Sequence, residues 1–129
     1  MDTEPHMKRQ PTKILLIDDD KTVVTVITAV LRAANYQVVS ALDPVQGFMA
    51  FRREKPQLVV LDLMMPAGGG MQLLEKLTSM GKAPVIVITA TQQGNAEAQA
   101  RAAGAAGFLT KPVDPAALKQ LIEELEASE

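Results

Sequence analysis

Leu58-Val59-Val60-Leu61-Asp62 is the stretch whose reading decides the fold. Its apolar residues run without a polar break and end directly on a carboxylate. A strand buried on both faces reads this way, and such strands belong to parallel sheets covered by helices. Upstream, Ile14-Leu15-Leu16-Ile17 repeats the pattern and ends on Asp18-Asp19. Parallel strands point the same way, so adjacent ones release all three carboxylates at one edge. Like charges ~4 Å apart repel by roughly 4 kcal/mol at an effective dielectric of ~20. Such a cluster calls for a cation. A hard divalent ion with oxygen ligands, Mg²⁺ above all, suits a site with no Cys and no nearby His.

The rest of the chain alternates strand and helix. The expected strands are Lys13–Ile17, Gln37–Ser40, Leu58–Leu61, Val85–Ile88 and Gly107–Thr110. Helix one is expected over Lys21–Ala34, with Val23, Ile27, Val30 and Leu31 at helical spacing and Asn35 as its stop. Helix two opens on Asp43-Pro44 with Gln46 completing a capping-box pattern, and Pro56 ends it. A Pro66-Ala67-Gly68-Gly69-Gly70 loop precedes helix three, Met71–Met80, which Gly81 closes. Helix four covers Asn95–Ala103. Helix five starts at Asp114-Pro115 and carries Leu118, Leu121, Ile122 and Leu125 on one stripe. Five such units predict an α/β, doubly wound, open sheet with helices on both faces. Ligands of these sheets bind beyond the carboxyl ends of the strands.

Composition narrows the function classes. The 129 residues are 47% hydrophobic and 22% charged, with a net charge of −2 and no Cys. One domain with a real core is expected, without disulfides, thiolate chemistry or general nucleic-acid affinity. No apolar stretch has the ~20 residues of a membrane span, so a cytoplasmic protein is the expectation. Residues 1–11 are polar and hold two prolines; they read as a disordered extension in which His6 has no role, ahead of one domain over 12–129.

Asp18, Asp19, Asp62, Thr89 and Lys111 all fall at or just after strand ends, so parallel strands crowd them on one rim. Three carboxylates and one ammonium reach neutrality with one divalent cation. A carboxylate can attack phosphorus to form an acyl phosphate, while a cation, a lysine and a hydroxyl spread the phosphoryl charge. Asp62, alone at the end of its strand, is the natural nucleophile. Of Asp18-Asp19-Asp20, the third is assigned to capping helix one. Gly68-Gly69-Gly70 is a pliable turn, since no Gly-x-x-x-x-Gly-Lys is present. Met64, Met65, Met71 and Met80 read as core fillers, and Glu123, Glu124 and Glu126 as a solvated face. The Ala-rich segment 96–106 has two readings: a thin, well-packed helix, or a weakly held and movable one.

These residues resemble the receiver (CheY-like) domain of two-component response regulators over residues 12–127. The matching text is Ile17-Asp18-Asp19-Asp20, Leu61-Asp62-Leu63-Met64-Met65-Pro66 with Gly70, Val87-Ile88-Thr89-Ala90, Ala103-Gly104-Ala105 and Phe108-Leu109-Thr110-Lys111-Pro112. The resemblance implies a flavodoxin-like (βα)5 fold with strand order 2-1-3-4-5. It implies that Asp62 is the phosphoacceptor and that Asp18, Asp19, Asp62 and the Met64 backbone carbonyl bind Mg²⁺, or Mn²⁺. Thr89 and Lys111 would contact the phosphoryl group, Thr89 and Phe108 would form the switch, and Lys111-Pro112 would be cis. The implied partners are a histidine kinase or phosphotransfer protein and a downstream protein or output domain. A homodimer through helix four, strand five and helix five is also implied.

Departures from the family pattern are Gly69, which should loosen its loop, and Ala106-Gly107 before the switch aromatic. Phe108 lacks a tyrosine hydroxyl, so packing should govern its placement. Met64 and Thr91 flank the expected path of attacking water. The resulting expectation is a phosphorylation-operated switch, not a turnover enzyme, whose catalysis is limited to its own modification and slow self-hydrolysis. A phosphohydrolase is disfavoured because Asp62-Leu63-Met64 lacks a second Asp two residues on. A phosphorylation-independent binding module is the alternative. The chain reads either as a stand-alone receiver or as part of a longer regulator.

Overall fold

The computed structural model describes residues 12–66, 68–90 and 94–128; His6, Ala67 and Thr91 lie outside them, as does the whole of 1–11. The order is β1 (Lys13–Ile17), α1 (Lys21–Ala33), β2 (Gln37–Ala41), α2 (Pro44–Glu54), β3 (Leu58–Asp62), α3 (Gly70–Met80), β4 (Val85–Thr89), α4 (Ala96–Ala102), β5 (Gly107–Thr110) and α5 (Pro115–Ala127). The strands form one parallel sheet in the order β2-β1-β3-β4-β5. This is the doubly wound α/β fold expected from the alternation.

Period-2 alternation sorts the strand residues between two cores. Leu15, Ile17, Val59, Leu61, Val85 and Val87 pack with Phe51 of α2, Leu73, Leu74 and Leu77 of α3, and Ala100 of α4. Ile14, Leu16, Leu58, Val60, Ile86 and Ile88 pack with Ile27 and Leu31 of α1 and with Leu118 and Ile122 of α5. Three helices therefore cover one face and two the other. β3 and β4 are buried along their whole length, which is why their sequences show no amphipathic alternation.

Local chemistry sets the helix ends. The Asp20 carboxylate accepts from the N–H groups of Thr22 (2.9 Å) and Val23 (3.3 Å), Asp43 from Gln46 (2.8 Å), and Asp114 from Ala116 (3.1 Å). Each satisfies amides that the first turn leaves without partners. After α1 the chain turns through Asn35 at φ 72°, and Gly81 at φ 64° closes α3. Helix α2 ends before Pro56, at Lys55 with φ 51°.

Two boundaries differ from the sequence reading in a way that matters for the site. β3 and β4 each run one residue further, so Asp62 pairs with Ile88 and Thr89 with Thr110. Ladder pairing therefore orients both side chains, which a loop position would leave free. The glycine run is also more constrained than a loose turn. Gly69 sits at φ 85° ahead of α3, and a Cβ on Gly70 would collide with the Leu63 carbonyl. The loop closes tightly against the residue after Asp62.

Candidate functional site

The carboxyl ends of β1, β3 and β5 meet at the rim. Carboxylate oxygens of Asp18, Asp19 and Asp62 all lie within 4.8 Å of one another. Asp18 and Asp62 are buried, whereas Asp19 is accessible to solvent. Lys111, carried on the turn after β5, places its Nζ 2.8 Å from Asp18 Oδ2 and 3.1 Å from Asp62 Oδ2. One ammonium thus bridges two buried carboxylates, and the four groups retain a net negative charge.

Backbone amides hold both buried carboxylates in place. Asp20 N–H donates to Asp18 Oδ1 and Met64 N–H to Asp62 Oδ1, each at 2.9 Å. These amides were not singled out from sequence. The spacing of two residues in both cases is that of an Asx turn. Turn and site coincide: the turn hydrogen bond fixes the plane of the carboxylate whose other oxygen faces Lys111.

Thr89 is fully buried at the end of β4, and its carbonyl accepts the Lys111 N–H at 2.9 Å. The Lys111–Pro112 peptide is cis. Phe108 pairs with Val87 in the ladder, is half-buried, and packs against the core under α2, α3 and α4. With Gly94, Ala96, Arg101 and Thr110 it lines a cavity of about 670 Å³ between α4 and β5. The Met64 side chain is 58% exposed beside the rim, and Met80 is exposed as well. Both depart from the core-filler reading, because Met64 follows the strand end and Met80 closes α3 at the surface. Met65 is buried as expected.

Burial pushes the Asp62 carboxyl above its ordinary value, and the Asp18 charge adds to this; the Met64 amide and Lys111 oppose it without prevailing. For Lys111, burial alone would favour the neutral amine, yet hydrogen bonds and charge from Asp18 and Asp62 raise its pKa on balance. The ammonium is held charged by carboxylates that it only partly neutralises.

The donor set fits a hard divalent cation. All the candidate side-chain ligands are carboxylate oxygens, and the fully buried Asp18 Oδ2 is held by the Lys111 ion pair and by no further hydrogen bond. A buried carboxylate oxygen in that condition is available to a cation.

Comparisons with known proteins place the chain in a family. The family model described as "Response regulator receiver domain" matches residues 14–123. Protein PilH of Pseudomonas aeruginosa is 34% identical over 118 residues, covering 89% of this chain and 98% of that protein. The probable transcriptional regulator ycf27 of Porphyridium aerugineum is 34% identical over 116 residues, covering 90% of this chain. This chain spans 48% of the length of that regulator. Among solved structures, a putative response regulator from Chloroflexus aurantiacus superimposes with a TM-score of 0.84 at 27% identity, covering 91% of this chain and 98% of the other. With the family model matching most of its length, the chain belongs to the receiver domains of two-component response regulators.

Proposed function

We propose that this receiver is a switch operated by phosphorylation of Asp62. The observation that carries the reading is the buried Asp18–Lys111–Asp62 bridge with Asp19 alongside. Asp62 is the nucleophile: a carboxylate oxygen attacks the phosphorus of a phosphohistidine donor, the P–N bond breaks, and the imidazole leaves and takes a proton. A histidine kinase or phosphotransfer protein supplies the phosphoryl group. Met64 N–H keeps the carboxylate in plane. Lys111 transfers its contact from Asp62 to a phosphoryl oxygen, and the Thr89 hydroxyl takes another.

Asp18, Asp19, Asp62 and the Met64 carbonyl would hold Mg²⁺, or Mn²⁺, which when bound neutralises charge on the attacking and transferred oxygens. Movement of Thr89 toward the phosphoryl group frees space for Phe108, and the α4–β5–α5 face changes shape. That face then engages a downstream protein, an output domain or a second copy. The receiver spans 12–129, acts in the cytoplasm, and with its net charge of −2 does not itself bind nucleic acid.

The test is intact mass after incubation with acetyl phosphate and Mg²⁺. The wild type should gain one phosphoryl mass and Asp62→Asn none. An unmodified wild type would leave a phosphorylation-independent binding module as the reading.

A further inference from the structure

Helices α2 and α3 lie side by side on the sheet face away from α1 and α5, and two hollows open between them, lined by apolar and basic side chains. At one end a hollow of about 360 Å³ is lined by Val45, Phe48, Met49, Leu73 and Lys76. At the other, a hollow of about 520 Å³ is lined by Phe51, Arg52, Lys55, Met80 and Lys82. Val45 is 70% and Met49 58% exposed, one helical turn apart on α2. An apolar stripe of this kind on a helix surface, rich in Met and aromatic residues, is the composition of an interface core.

The charges around the groove have one sign. Arg52, Lys55, Lys76 and Lys82 are exposed, and none of the four takes part in an ion pair among the described residues. Two of them lie over the Phe48 ring, Lys76 at 4.2 Å and Arg52 at 5.8 Å from its centroid. The acids nearby do not cancel them: Glu54 is engaged by Lys13 and Arg53, and Asp43 caps α2, leaving Glu75 on the neighbouring position of α3. A chain of net charge −2 has therefore gathered unpaired positive charge along an exposed apolar groove.

We propose that the α2–α3 groove is a docking site for an amphipathic helix of a partner protein, apolar on one stripe and flanked by Asp and Glu. The groove is concave and bounded by two helices, so it fits a rod and not a planar surface. The 11 residues of α2 span about 16 Å, enough for about three turns of a bound helix. Val45, Phe48 and Met49 would take the apolar anchors, and the four cations the acidic flanks. This surface is separate from the α4–β5–α5 face, and the proposal does not rest on phosphorylation of Asp62.

A helix-stapled, fluorescein-labelled peptide of about 14 residues tests it, with Leu on one stripe and Glu on the flanks. Saturable anisotropy binding is expected, with amide shift changes confined to residues 45–55 and 69–82. Replacing the Glu flanks by Lys should weaken binding by about tenfold or more. Val45→Asp and the pair Arg52→Glu/Lys76→Glu should each do the same with unchanged circular dichroism. Asp62→Asn should bind as the wild type does. Absence of saturable binding, equal affinity for the Lys-flanked peptide, or shifts centred on α4 and β5 would overturn the proposal. So would capture of the groove by phosphatidylglycerol vesicles in preference to the peptide, which would make it a membrane-facing surface.

Discussion

The two ends of the sheet handle charge in opposite ways. At the amino end, Lys13 Nζ reaches Glu54 at 3.3 Å, the Lys13 amide donates to Gln57 Oε1 at 2.7 Å, and the Tyr36 hydroxyl donates to Glu126 at 3.1 Å. Each donor there has its own acceptor, and the groups remain in reach of water. At the carboxyl end two buried carboxylates share one ammonium, and a third, Asp19, lies alongside. Elements that only hold a fold together pair their charges off. The rim leaves them unbalanced at some cost in stability, as the cation and phosphoryl group of the proposed function would require.

Breaking that contrast should have its largest effect at Lys111. Lys111→Met leaves Asp18 and Asp62 facing each other without a cation, so a loss of about 3–5 kcal/mol is expected in urea unfolding with chelator present. Adding Mg²⁺ should restore much of it in the variant. If chelator and Mg²⁺ give the same midpoint, the carboxylates are not a shared cation site.

A smaller effect of opposite sign is expected from Asp62→Asn. The folded-state pKa of Asp62 lies above its unfolded value of 3.8, chiefly through burial. Its protonated form therefore favours the native state: that stability is complete below pH 3.8 and is lost as pH rises through the folded pKa. The amide cannot ionise, so at neutral pH the variant should be more stable than the wild type. The gap should close below pH 3.8. A variant less stable than the wild type at neutral pH would show that the Lys111 contact outweighs burial.

The amino end should yield the smallest change, and at the other extreme of pH. Tyr36 is pushed up to about 12 by burial, helped by the charge and hydrogen bond of Glu126. Its neutral form favours the folded state, so this contribution is whole below pH 10 and disappears as pH rises through about 12. As the chain's single tyrosine, with no tryptophan present, Tyr36 can be followed by ultraviolet absorbance. Glu126→Gln should bring its titration back toward 10 and cost about 1 kcal/mol or less at neutral pH.

Glu126 also shows where sequence reading fell short. It belongs to a run of acids that looked solvated, yet it accepts hydrogen bonds from Tyr36 and Thr12, residues far away in the chain. Nothing in the local pattern of α5 announces partners that come from the residue before β1 and from the turn before β2. The same holds for the α2–α3 groove. Val45 and Met49 look like ordinary members of an amphipathic helix until the structure shows them left exposed while Ala50 and Phe51 of the same helix are buried.

Strand runs, helix caps and the location of polar residues at strand ends were legible because each is a local consequence of side-chain chemistry. Asp20, Asp43 and Asp114 cap where their side chains can reach the next turn, and unbroken apolar runs have few destinations other than a buried parallel strand. The chain alone thus determined the doubly wound architecture and placed Asp18, Asp19, Asp62, Thr89 and Lys111 on one rim. Tertiary structure decided that Lys111 bridges two buried carboxylates, that Met64 lies exposed, and that unpaired cations line a groove on another face. Those outcomes depend on distances between residues remote in sequence. Coulomb energies, burial and hydrogen bonds act through such distances, and only the packed chain sets them.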